Sequence, residues 1–556
     1  MKPLAESEAR LAHTWALDPD RPIAPIGQCA EFIQQFESCV ISYPQLRTAV
    51  RHLTAANIVL ALILLATALI RIHLLPIPLE RDEGEYAYSG QLMLQGIPPY
   101  SVASNMKLPG TYAAHAIIMA IFGQTIAGIH FGLLLVNAAT ILLVFALGKH
   151  LFSPLAGVAA AAAYASLSLS PDVGGTASHA THFVTLCALA GTVLLLRRPG
   201  TVFWPGILYG LAFLMKQHGI FFALFGALYL VRHRSSLRTL ATFAGAAILP
   251  YALTCLVLWR AGVFPAFWFW TVTYAREYAA RVPLAEGIDN LTSTLHDIWA
   301  ASPALWVIAA LGLVFLFLKR EARPRAAFTV AFLAFSFAAA CPGLLFREHY
   351  FIPMLPAVAL LAGWLPAGIV GQVANLRPIV NRPAATVPLS FSRRSALIYA
   401  LFAAAVGYPF FAQRHLYFSM TPDQAAREIW GNDNPFPEAV AAASYIRAHT
   451  APNEPIAVLG SEPEIYFYAH RHSATPYIYM YGLMEPQPYA LKMQNDVIRD
   501  LEASRPAYIV DVDSSNSWLR RDHSNTRIFD WWDAYRALRY ELAVTINDLT
   551  IYRRRP

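Results

Sequence analysis

The sequence predicts a mainly α-helical, polytopic membrane protein that ends in a small soluble α/β domain. Three observations carry that prediction. Of 556 residues, 56% are hydrophobic and only 14% are charged, whereas a soluble chain carries about 25% charged residues. Between residues 53 and 413 the chain is a succession of apolar runs separated by short connectors, many near the length that a helix needs to cross a bilayer. After Phe411 charged residues return, and short apolar runs alternate with helical patterns, the signature of a small α/β domain.

Residues 1–52 form a mixed segment assigned to the cytoplasm. Phe32, Phe36, Cys39 and Val40 recur at helical spacing, with Glu31, Gln34, Gln35 and Glu37 around the rest of the turn. That pattern suits an interfacial helix or one packed on a cytoplasmic loop, and both remain open. The first apolar run starts well inside the chain, so it is expected to act as an uncleaved anchor and not as a signal peptide. Eleven candidate spans follow: 54–76, 126–148, 154–171, 180–196, 202–216, 218–232, 239–260, 303–319, 326–343, 349–371 and 396–413. Residues 111–122 are short for a span and are expected to dip into the membrane or lie on it. Residues 53–413 thus make the transmembrane domain, with outer loops at 80–125 and 261–301. Within 414–556, strands are expected at 456–459, 465–468, 508–512 and 542–546, and helices at 437–448 and 496–503. Residues 377–388 read as a cytoplasmic linker.

Charge sets the orientation. With the N-terminus inside, Lys149, the pair Arg197 and Arg198, the cluster Arg232, Arg234 and Arg238, the group Lys319, Arg320, Arg323 and Arg325, and Arg377, Arg382, Arg393 and Arg394 all fall in inner loops, as the positive-inside rule requires. The net charge of +7 is thereby assigned to topology and not to nucleic acid. The five cysteines show no metal spacing and no disulfide framework. With an odd number of spans, residues 414–556 lie outside. Polar residues that the rule leaves unexplained then gather on the outer side: the 82–107 loop, Asp172, His179, His182, Lys216, Gln217, His218, the 261–301 loop, and Arg347 to Tyr350. Each alone could be a snorkelling or structurally satisfied group; together they suit a polar site assembled from several spans.

The most unusual stretch follows the first span. Glu80, Arg81, Asp82, Glu83 and Glu85 crowd together, followed by Tyr86, Tyr88 and, further on, Lys107. Ionisable groups at a membrane face are functional candidates by default. Asp82 could alternatively cap a helix whose first turn carries Glu85, a role that needs neither Glu83 nor Lys107.

The run Asp82-Glu83-Gly84-Glu85-Tyr86-Ala87-Tyr88, with Gly96, Pro99-Tyr100 and Lys107-Leu108-Pro109-Gly110, resembles the first outer loop of glycosyltransferase family 39-like enzymes. These belong to the integral-membrane GT-C group, which includes protein O-mannosyltransferases and the lipid A aminoarabinose transferase. Gly210 to Gln217, His349-Tyr350-Phe351 with Leu355-Pro356, and Gly460-Ser461-Glu462-Pro463 are similar to further family stretches in the same order. The chain departs from the family at Leu108, where a proline is frequent, at Met106, where the aminoarabinose transferase has a glutamate, and at His182, where many members carry a glutamate.

The resemblance implies a GT-C-like fold, a sugar donor carried on a polyprenyl phosphate, a hydroxyl or phosphate acceptor on a glycolipid, polysaccharide or protein, and a bacterial inner membrane with the site and the C-terminal domain facing the periplasm. The residues suit that chemistry. An acceptor hydroxyl needs a carboxylate base, with Asp82 first and Glu83 second. A leaving lipid phosphate needs fixed cations, with Lys107, Lys216, Arg347 and His349 as candidates. Glu85, Tyr86, Tyr88, Gln217 and His182 are candidate donor or acceptor contacts. Direct displacement inverts the anomeric centre. A divalent metal stays open, with Asp82, Glu83 and His182 as the ligand types present. The alternative function is a transporter or sensor of lipid-linked sugars. A transporter is expected to show repeats and mid-membrane charges, and a sensor a cytoplasmic domain larger than residues 1–52.

Overall fold

The computed structural model describes residues 55–198, 200–320, 322–375 and 392–556, the side chains of 371–375 excepted. The expectations for 1–52 and for the 377–388 linker lie outside these residues. From Val59 onward the described chain is one compact unit.

Every one of the eleven expected spans falls on a helix. Among the described residues, six helices are long and apolar enough to cross a membrane: Ala55–Leu74, Ile126–Leu151, Ala180–Arg197, Leu237–Arg260, Glu348–Val370 and Arg393–Ala412. Pro109–Phe122, Pro154–Leu167 and Phe203–Met215 are shorter apolar helices. The protein is therefore a multi-pass membrane protein. Its helices divide their faces as a bilayer requires. Leu62, Leu65 and Leu69 on the first helix are more than half exposed, while Leu360, Leu361 and Tyr164 are sealed inside. Small residues set the inner packing: a Cβ added at Gly363 would strike the backbone of Ala160 and Ala156. Close approach of this kind replaces the hydrophobic driving force that lipid-embedded helices lack.

The 261–301 segment, expected as a loop, is largely helical. Phe264–Trp268 runs into a π-helical turn at Phe269–Tyr274 and then into Ala275–Ala280. Leu284–Ala301 follows and meets Pro303–Leu318 at 104°, the break falling at Ser302-Pro303, where proline removes a backbone donor and starts the next helix.

The C-terminal region carries a four-stranded sheet in the order β1-β2-β4-β3. β1 (Ile456–Leu459) pairs parallel with β2 (Tyr508–Val512), and β2 pairs antiparallel with β4 (Leu549–Arg554). β3 (Tyr540–Ile546) and β4 close a hairpin around Asn547, whose φ of 47° suits a tight turn. Helices occupy Phe436–His449 and Ala490–Ser504. Residues 465–468, expected as a strand, instead lie in the helix Glu464–Ala469. Its pattern of buried aromatic residues serves a helix packed on both sides equally well, and a short apolar run cannot separate the two.

The helix Arg81–Leu94 joins these parts. Eleven of its fourteen residues are buried, although its composition is polar. One face shares a core with the sheet domain: Ala87, Tyr88 and Leu92 pack with Ile456, Val458 and Tyr466. Arg81 donates to Glu462 at 2.8 and 3.1 Å and to Asn434 at 2.6 Å, and Tyr88 accepts the Ser473 amide at 2.7 Å. Gly84 permits the contact. A Cβ there would stand 2.6 Å from the Glu464 amide nitrogen.

Candidate active site

A cavity of about 440 Å³ opens beside this helix, walled by span ends, the 104–108 loop, the 274–281 segment and the sheet domain. Of the residues expected from sequence, Asp82, Tyr86, Lys107, Lys216, Gln217, Arg347 and His349 line it. With His179 and the 270–281 segment, which also line it, five separate connections meet in one place. Glu83, Glu85, Tyr88 and His182 do not line it.

The local structure around Asp82 follows from the helix start. Glu80 is the N-cap: its carboxylate accepts the Asp82 and Glu83 amides at 2.9 Å each, while Glu83 returns to the Glu80 amide at 3.3 Å. This reciprocal cap satisfies the first-turn donors. The capping role considered for Asp82 is thus held by Glu80, and the Asp82 side chain projects into the cavity. Glu83 is only 1% exposed and accepts from His130 Nε2 at 3.0 Å and from the Ser178 amide at 2.5 Å. It faces the bundle, away from the cavity, so it cannot reach a substrate held beside Asp82.

Asp82 Oδ1 receives Lys107 Nζ at 2.5 Å and the Tyr479 hydroxyl at 2.9 Å. Asp82 Oδ2 has a longer contact, 3.4 Å from the Tyr86 hydroxyl. Lys107 also lies 3.0 Å from Glu85 Oε2, and its ammonium sits 4.8 Å from the Tyr86 ring centroid and 5.4 Å from that of Tyr479. Glu85 is fully buried and is held by Asn105 at 2.7 Å and Tyr112 at 2.5 Å. It buttresses Lys107. The backbone of the lysine is held too, since the Tyr100 hydroxyl donates to the Lys107 carbonyl at 2.7 Å. Gln217 donates to the Met106 carbonyl at 3.0 Å, tying a span end to this loop.

The charges divide the site in two. Burial works to raise the Asp82 carboxyl, but the Lys107 ammonium overcomes it and holds the group well below the usual carboxylate range. Burial, aided by the Asp82 and Glu83 charges, pushes the Glu80 carboxyl well up. Lys216 has no ion-pair partner among the described residues; its ammonium rests 3.7 Å from the Tyr350 ring centroid, and burial pushes it down to about 7. Arg347 likewise lines the cavity without an ion-pair partner among the described residues. Lys107 is already engaged by two carboxylates, so Lys216 and Arg347 are the cations whose charge is free for an incoming anion.

His179 and His349 stack at 4.1 Å between ring centroids on the Asp82 side of the cavity. Asp82, His179 and His349 each offer a ligand atom, all within 4.8 Å of one another. Among the described residues, both ring nitrogens of His179 and Nδ1 of His349 are buried without a hydrogen bond, with Glu80 Oε1 3.7 Å from His179 Nδ1 and Glu348 Oε1 3.6 Å from His349 Nδ1. The metal-ligand set considered from sequence changes accordingly. Glu83 and His182 are buried elsewhere, and His179 and His349 stand with Asp82 instead.

Sequence reasoning did not assign roles to Glu80, Arg281 or Glu485, and it placed Tyr479 only within a run of five tyrosines, Tyr466, Tyr468, Tyr477, Tyr479 and Tyr481, dense enough to suggest a sugar- or lipid-binding surface. Arg281 pairs with Glu485, which also accepts the Tyr274 hydroxyl at 2.6 Å, closing the cavity wall between the 274–281 segment and the sheet domain. Of the five tyrosines between 466 and 481, Tyr466 is buried in the sheet-domain core, and Tyr479 and Tyr481 line the cavity. Their spacing in sequence does not separate these fates.

Residues 107–259 match the family described as dolichyl-phosphate-mannose-protein mannosyltransferase. No curated protein sequence is significantly similar to the chain. Among solved structures, ArnT from Cupriavidus metallidurans bound to undecaprenyl phosphate is similar with a TM-score of 0.58 and 15% identity, covering 89% of this chain and 97% of that one. The apo form of the same ArnT gives 0.56 and 16% over the same shares. The chain is thus a multi-pass membrane protein with the GT-C fold of ArnT and a C-terminal sheet domain, and its residues 107–259 are similar to the mannosyltransferase family.

Proposed function

We propose that the protein is an integral-membrane glycosyltransferase that moves a sugar from a polyprenyl-phosphate donor to a hydroxyl or phosphate acceptor at the outer face of the membrane. The observation that carries this reading is the division of one cavity between a carboxylate, Asp82, and two cations, Lys216 and Arg347, that have no ion-pair partner among the described residues. Undecaprenyl phosphate bound to the structurally similar ArnT supports the donor class. The placement of the basic loops supports an outward-facing site and an outward C-terminal domain, and a bacterial inner membrane is the setting that this donor suits.

In the proposed reaction with a hydroxyl acceptor, Asp82 Oδ2 takes the acceptor proton as the acceptor oxygen attacks the anomeric carbon. The bond from that carbon to the phosphate oxygen breaks, its electron pair leaves with polyprenyl phosphate, and the configuration inverts. Lys216 and Arg347 neutralise the charge that grows on the leaving phosphate, an effect strongest in a site closed to water. Lys107 keeps Asp82 ionised and oriented. His349 stands beside Asp82 and not among the free cations.

Asp82, His179 and His349 would suit a divalent cation of borderline softness, since the set offers one oxygen and two imidazole ligands and the His179 nitrogens make no hydrogen bond among the described residues. Such an ion would supply Lewis acidity at the donor phosphate.

The test is turnover of a panel of labelled polyprenyl-phosphate sugars by the purified chain and by Asp82→Asn. Glu80 supplies the cap, so the Asn variant should fold normally and bind donor while turnover falls by about 100-fold or more. Near-normal turnover would remove Asp82 as the base. Movement of the donor across a bilayer without release of polyprenyl phosphate would replace the transferase with a transporter.

A further inference from the structure

The sheet domain does more than cover the cavity. Tyr479 reaches from it to donate to Asp82 Oδ1 at 2.9 Å. The oxygen that Tyr479 engages is the one that Lys107 also engages. Oδ1 thereby has both acceptor positions filled, whereas Oδ2 keeps room for an incoming hydroxyl. The Tyr479 ring also forms one wall beside the Lys107 ammonium.

The position of Tyr479 is itself fixed by a closed circuit of hydrogen bonds. The amide of the next residue, Met480, donates to Ser461 Oγ at 2.9 Å. The Ser461 amide donates to Ser517 Oγ at 2.8 Å, and the Ser517 hydroxyl donates to Glu462 Oε2 at 2.5 Å. Glu462 Oε1 receives Arg81, the residue before Asp82, at 2.8 Å. Ser461, Glu462 and Ser517 are fully buried. In such surroundings a fully satisfied polar network is rigid and its geometry is well defined. The circuit begins and ends at Asp82, once through the chain and once through its carboxylate.

We propose that Tyr479 is a positioning residue of the C-terminal domain that holds the Asp82 carboxylate so that Oδ2 meets the acceptor hydroxyl. This rests on the reading of Asp82 as the base. Binding of the donor does not require it, because the unpaired cations lie on other elements. The phenol fixes an angle, and a misplaced base lowers turnover without weakening binding.

Tyr479→Phe removes the donor and keeps the ring. In the purified full chain, turnover of the labelled polyprenyl-phosphate sugar that the wild type consumes should fall about 10-fold, as expected for one hydrogen bond to a charged group. KM for that donor should stay within about twofold. 3-Fluorotyrosine at 479 retains the hydroxyl and should restore turnover. Should the Phe variant not fold, 4-fluorophenylalanine at 479 fills the hydroxyl volume without a donor and gives the same comparison. Turnover within twofold of wild type in either variant lacking the hydroxyl overturns the inference, as does a loss expressed wholly in KM. Asp82→Asn separates the two readings. If it abolishes turnover while Tyr479→Phe is unaffected, only the role of Tyr479 falls; if Asp82→Asn is active, the base assignment falls.

Discussion

Lys216 makes the proposed phosphate site sensitive to pH in a way that can be worked from the structure. Its ammonium lies in the cavity without an ion-pair partner among the described residues, and burial pushes it down to about 7, well below the usual lysine range. Only the protonated form attracts a phosphate. At about pH 7 half of the molecules carry that charge, and at about pH 8 roughly one in eleven does. An apparent dissociation constant scales inversely with the competent fraction, so the constant for polyprenyl phosphate should rise about fivefold over that unit. The sign follows from linkage. A bound phosphate raises the lysine's pKa, so binding takes up a proton. Affinity is full below about pH 7 and is lost as pH rises toward the pKa of the complex. Lys216→Arg keeps its charge throughout and should flatten the curve; Lys216→Gln should bind weakly at every pH. Titration calorimetry of undecaprenyl phosphate into the detergent-solubilised protein measures both the affinity and, in buffers of different ionisation enthalpy, the proton uptake. An Arg variant as steep as the wild type, or no proton uptake by the wild type, would refute the assignment.

Two further outcomes test the frame that holds the site. Gly84→Ala places a methyl 2.6 Å from the Glu464 amide nitrogen and should push the Arg81–Leu94 helix off the sheet domain, destabilising by about 1–3 kcal/mol despite the better helix propensity of alanine. A lower thermal midpoint together with lower turnover checks it, and an unchanged midpoint contradicts it. A reporter active only in the cytoplasm, fused after Tyr417, should be silent in the orientation proposed from the basic loops, which has the C-terminal domain outside; activity there would reverse the topology.

The membrane class, the positions of the apolar helices and the gathering of polar residues at their ends were legible in sequence because each rests on a local property. A bilayer selects runs of apolar residues by length, and short loops are sorted by Lys and Arg, so hydropathy and charge reach the answer without long-range contacts. The strands at 456–459 and 508–512 were legible for a similar reason, being short apolar runs bounded by polar residues. The 261–301 segment was not, because its helices lie at the edge of the bundle with mixed composition. Their register depends on what they pack against.

The site divides along the same line. The sequence by itself determined that carboxylates and aromatic residues crowd after the first span, that Lys107 follows, and that Lys216, Arg347 and His349 stand at the ends of apolar segments. Only the tertiary structure decided which of them act together. Asp82 and Glu83 are chain neighbours of the same chemistry, yet their positions on the helix send one into the cavity and the other to His130 and Ser178. Glu80 became the cap because the chain enters the helix one residue earlier than Asp82. Tyr479 lies 397 residues from Asp82 in the chain, and no local pattern encodes that hydrogen bond. Hydropathy and helical periodicity are properties of neighbours in the chain, whereas the orientation of a buried carboxylate depends on partners that only the packed fold brings within about 3 Å.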